Sequence, residues 1–156
     1  MPYCPAKIAT LTCATQIMLA YPLCAGDSAV DAIERARALL ASRGHRIAQV
    51  VVVERWPANA RSGEAFATRG TIFVNRDSNV LRAAVQNSRY GVALASLLLH
   101  EQAHLDGASE LRALETELEW LTANRADLEL IVATRRSMEL EKQRERRARP
   151  QQSPER

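Results

Sequence analysis

Two of the chain's three histidines stand four residues apart, with a glutamate after the first, in His100-Glu101-Gln102-Ala103-His104. On a helix, four residues turn the chain through about 400°, so both imidazoles leave one face a turn apart and can hold one zinc ion between them. Glu101 projects beside that face, within reach of a water on the metal. The five residues directly follow Leu-Ala-Ser-Leu-Leu-Leu. Polar groups placed against such a run are costly to bury unless paired or metal-bound.

The motif needs a helix under it, and the sequence supplies one. Gly91 to Asp106 is apolar almost all round up to His100, which predicts a central helix packed on several sides, with Gly107 as its C-terminal stop. Upstream, Ser28 caps an expected helix to about Ser42, with Val30, Ile33, Ala36 and Leu40 at helical spacing and Gly44 beyond its end. Ile47 to Glu54 and Thr71 to Asn75 read as two short β-branched strands, and the Ala-, Gly- and Ser-rich stretch between them as a loop. A helix starts near Asn79. Ser109 caps another, with Leu111, Leu114, Leu118 and Leu121 in one stripe, and a last helix runs from Asn124–Asp127 through Met138. The expected architecture is a small α+β domain, mostly helical, with two short strands and a central helix carrying the motif.

Leu-Leu-Leu-His-Glu-Gln-Ala-His resembles the active-site helix of the zincin metallopeptidases, whose HExxH motif supplies two zinc ligands and a general base. The resemblance spans the stretch from Thr71 to the helix ending near Leu121. It implies a minimal peptidase domain with a peptide or protein substrate, and an edge strand, here Thr71–Asn75, that pairs with the substrate backbone.

A zinc peptidase needs a third protein ligand and keeps a fourth position for water. His45 lies far upstream in a polar setting, so the ligand is sought among Glu110, Glu115, Glu117 and Glu119. Taking the four leucines as the inward direction, Glu110 lies about 60° off centre, Glu115 and Glu117 about 80° and Glu119 about 120°. Glu110 is also nearest His104 along the chain and is preferred; Glu117 and Glu115 are the alternatives. The spacing from His104 through Gly107 is similar to the metzincin pattern, but a glutamate at the third position is closer to gluzincins, whose spacer is longer. Zinc on His100, His104 and Glu110 would polarise the scissile carbonyl, and Glu101 would accept the water proton and pass it to the leaving amine. Asp106 or Glu115 could orient a ligating imidazole from behind.

The remaining composition narrows the classes. The 156 residues carry 21 basic and 18 acidic side chains and are 47% hydrophobic, which suits one globular domain and excludes disordered, collagen-like and multispanning chains. All three cysteines fall in the first 24 residues, within a segment with one lysine, an apolar stretch and small residues before Asp27. This is the order of a signal peptide, so residues 1–25 are read as one, residues 26–135 as the catalytic domain and residues 136–156 as a charged helical end and disordered tail. Cleavage after Ala25 gives an exported protein, periplasmic or secreted, without a stable membrane span; an uncleaved anchor is the alternative. From Arg135 on, eight basic residues mix with four acidic ones and no aromatic, so no nucleic-acid partner is expected. The rival function is an exported binding or scaffold protein with a vestigial site.

Overall fold

The computed structural model describes residues 28–57 and 63–148. The proposed signal segment and the end of the tail lie outside the described residues. Ser28 and Asp31 cap each other's backbone N–H groups at the start of helix α1 (Ala29–Ala41), which buries Ala32, Ile33, Ala36 and Leu40 and leaves Val30 exposed. Strands β1 (Gln49–Val53), β2 (Ala65–Thr68) and β3 (Thr71–Asn75) follow, then α2 (Asn79–Gln86), a 3-10 turn at Ser88–Tyr90, α3 (Gly91–Leu105), α4 (Glu110–Ala123) and α5 (Leu128–Ala148). The domain is α+β and mostly helical.

The sheet has three strands rather than two, in the order β1-β3-β2, with β1 parallel and β2 antiparallel to β3. The additional strand lies inside the stretch read as a loop. Its alanines give little strand signal, but Thr68 pairs with Thr71 across Arg69 and Gly70, both at positive φ, as in the two-residue turns whose twist matches a hairpin. Thr71–Asn75 is therefore the central strand, and both of its edges are already paired. That corrects its assignment as the substrate-pairing edge. Ile72 and Val74, with Ala65 beside Val74 in register, turn one sheet face into the core. The other face carries Phe66 stacked on Phe73 at 5.0 Å, with Trp56 edge-on to Phe66 at 5.2 Å.

Helix α3 is the centre of the molecule. It packs on β2 and β3 on one side, on α1 and α2 beside them and on α4 on the other, burying Ala93, Leu94, Ala95, Ser96, Leu98 and Leu99 together with His100 and Glu101. Helix α5 packs outside α4 and runs ten residues past Met138, supported by Glu139–Lys142 (2.7 Å) and Glu141–Arg144 (3.1 Å) pairs one turn apart. No helix among the described residues is long and apolar enough to cross a membrane.

Candidate metal centre

The centre is built on the hairpin between α3 and α4. Gly107, at φ 88°, is the left-handed residue that ends α3: its N–H donates to the His104 carbonyl, and the Ala108 N–H reaches back to Ala103. With the Asp106 N–H on the Gln102 carbonyl, that pattern gives partners to the Gln102, Ala103 and His104 carbonyls, and Ser109 then caps α4 by accepting from the Arg112 N–H. Four residues therefore reverse the chain, setting the first turn of α4 against the last turn of α3.

The inward face of α4 differs from the leucine stripe. Its buried residues are Ala113, Leu114, Trp120 and Leu121, while Leu111 and Leu118 are only half-buried. Trp120 brings more apolar surface than a leucine, and its indole N–H finds an acceptor in the Val92 carbonyl at 3.2 Å, so burying it rotates the helix. At 100° per residue the new inward direction passes through about the position of Glu117, with Glu110 about 20° off and Glu115 about 160° off. Glu110 and Glu117, two turns apart, both face α3. Glu115 instead pairs with Arg112 at 2.5 Å, and Glu119 is exposed.

The side chains that meet are His100, His104 and Glu110. The two Nε2 atoms lie 3.2 Å apart; Glu110 Oε2 is 3.2 Å from His104 Nε2, and Glu110 Oε1 is 3.7 Å from His100 Nε2. One ligand atom from each of the three falls within 4.8 Å of the others. Behind the rings, His104 Nδ1 is 3.2 Å from the Ala108 carbonyl oxygen and His100 Nδ1 is 3.1 Å from Glu117 Oε2. Carbonyl and carboxylate oxygens can only accept, so each Nδ1 donates, and a ring that carries only that proton turns its Nε2 lone pair inward. Three lone-pair donors thus converge, an arrangement that repels itself unless a proton or a cation sits among them. Two ligand atoms on a tetrahedral zinc ion stand about 3.3 Å apart, close to the spacing here.

The acid that orients His100 is Glu117, neither Asp106 nor Glu115. Asp106 accepts from the Gln102 side chain at 2.9 Å, and Gln102 in turn accepts from the Ala48 N–H at 2.8 Å, tying the chain just before β1 to the motif helix. His45, set aside as a ligand, lies edge-on to Trp120 at 5.5 Å. Tyr90, at the far end of α3, is about 15 Å of helix rise from His100 and is no candidate for stabilising charge at the site.

The charge balance follows the burial. Burial opposes charging of His100, but its hydrogen bond to Glu117 and the charges of Glu117, Glu101 and Glu110 outweigh that, and its pKa is raised. Glu101 is 5% exposed and has no hydrogen-bond partner among the described residues. Burial raises its pKa against the opposing effect of the two histidines. A buried carboxyl with a raised pKa beside three converging donors is a better proton acceptor than an exposed one. No family model matches the chain, and neither the curated proteins nor the solved structures contain a significant match to it.

Proposed function

We propose that this chain is an exported zinc metallopeptidase, hydrolysing peptide bonds with His100, His104 and Glu110 as metal ligands and Glu101 as general base. The observation that carries the reading is the convergence of one potential ligand atom from each of His100, His104 and Glu110 within 4.8 Å of the others, with both histidine Nδ1 atoms already committed, a donor set of two imidazoles and a carboxylate that suits zinc. When bound, the ion would supply a Lewis acid and a water acidified to near neutral pH. Glu101, in the turn between the two ligating histidines, accepts the water proton and returns it to the leaving amine. Burial raises its pKa, which makes it a better base than an exposed glutamate.

Substrate alignment by strand pairing, as the zincin resemblance implies, falls to an outer strand. Strand β2 packs on α3 and pairs with β3 alone among the described strands, which leaves a peptide-pairing edge beside the motif helix. The test is a pair of variants. Glu101→Gln is expected to keep about one zinc per chain and lose hydrolysis of a casein or peptide-library substrate, whereas His104→Ala loses the metal. Wild-type protein that binds zinc but cleaves nothing in such a library would favour the binding-protein alternative; full activity in Glu101→Gln would refute the mechanism.

A further inference from the structure

Helix α5 contributes no ligand, yet one of its residues reaches the centre. Thr134 is 6% exposed and is the one buried residue among the 21 of α5; its neighbours Leu130 and Ile131 are only partly covered. Burying a hydroxyl costs free energy unless it finds a partner, and valine would fill the same space without that cost. The partner is Glu117: Thr134 Oγ1 lies 3.4 Å from Glu117 Oε1, while the other carboxylate oxygen, Oε2, meets His100 Nδ1 at 3.1 Å. Each oxygen of Glu117 therefore has its own partner, one on α5 and one on α3, and the carboxylate is held between the two helices.

We infer that Thr134 is a positioning residue of the metal centre, fixing the Glu117 carboxylate so that it faces His100 from behind and leaves Glu110 as the metal ligand. The point matters because both glutamates can reach the His100 ring. Both lie on the inward face of α4, seven residues apart, and each has an oxygen within 4 Å of a His100 ring nitrogen. A hydroxyl donor on Glu117 Oε1 gives Glu117 a reason to stay behind the ring, whereas Glu110 is 48% exposed and has no such anchor. Outer partners of this kind change affinity and ligand geometry without touching the metal.

The inference rests on the proposed metal site, and its test separates the two. Zinc affinity is measured for the wild type, Thr134→Val and Thr134→Ser by competition with a chromophoric chelator, together with the visible absorption of the cobalt-substituted proteins and the metal-free thermal midpoints. Thr134→Val is expected to bind zinc about 3- to 10-fold more weakly, with a shifted cobalt spectrum and a metal-free midpoint no lower than wild type; Thr134→Ser, which keeps the hydroxyl, stays within about 2-fold. Glu117→Gln marks the upper end, with a loss of about 10- to 100-fold. Wild-type affinity and spectrum in Thr134→Val overturn the role of Thr134 while leaving the metal site intact, and equal losses in the valine and serine variants overturn it in favour of plain packing. A wild-type chain that binds no zinc overturns both.

Discussion

Removing Glu110 should uncouple the protein's stability from zinc. A ligand that binds only the folded chain stabilises it by RT ln(1 + [L]/Kd), about 2.7 kcal/mol when free zinc is 100 times Kd. For a domain with 116 described residues, each kcal/mol moves the thermal midpoint by roughly 3–5 °C, so the wild type gains about 10 °C. Loss of one of three protein ligands should weaken affinity on the order of 100-fold or more, beyond the loss caused by removing outer partners. In Glu110→Ala the same free zinc then sits at or below Kd, where the stabilisation is at most about 0.4 kcal/mol, or 1–2 °C. The metal-free midpoint should change little, because Glu110 is 48% exposed and its ion-pair partners are the two histidines. The assay is differential scanning fluorimetry in buffered zinc and in EDTA. Equal zinc shifts in wild type and Glu110→Ala would refute Glu110 as a ligand, and no shift in either would refute the site.

Two further outcomes follow from the geometry. Gly107→Ala places a Cβ in open space but keeps a left-handed φ, so it should cost about 1–2 kcal/mol of stability through backbone strain alone; calorimetry should show the same loss with and without zinc, and a loss of zinc affinity larger than 3-fold would mean that the turn had moved Glu110. The metal-free protein should become less stable as pH rises from 6 to 8. The raised pKa of His100 gives a contribution present in full below its ordinary 6.5 and lost as pH rises through the folded value, and Glu101, raised above its ordinary 4.5, acts in the same direction, while Asp31 and Glu139, both lowered, have finished titrating below this window. Zinc displaces protons, so the zinc-induced rise in midpoint should grow over the same interval; a metal-free midpoint that climbs with pH would contradict this reading.

The helical half of the molecule was legible because its signals are local. The apolar run before His100 demanded a helix buried on several sides, Gly107 and Ser109 marked its end and the next start, and their closeness put Glu110 against His104. What was hidden depends on competition between elements. The strand Ala65–Thr68 has alanines where its face meets α3, since β2 and the helix pack closely there, and small residues resemble a loop when read without their partner. The rotation of α4 turned on Trp120 finding a carbonyl on a different helix, and with that rotation Glu117 passed from a rival ligand to the acid behind His100. No spacing rule links Thr134 to Glu117, because the packing of two helices brings together what the chain separates by 17 residues.

The hairpin turn at Gly107 also bears on how the molecule assembles. The three donors and the acid behind His100 all fall between residues 100 and 117, joined by one four-residue reversal, while the parallel pairing of β1 with β3 joins residues 22 apart and needs β2 laid down between them. Short-range contacts cost little loop-closure entropy and form early. An α3–α4 pair can therefore gather its donors before the sheet is complete, so that a metal ion arriving then would act as a folding clamp, favouring the one helical register in which Glu110, and not Glu117, reaches the ion.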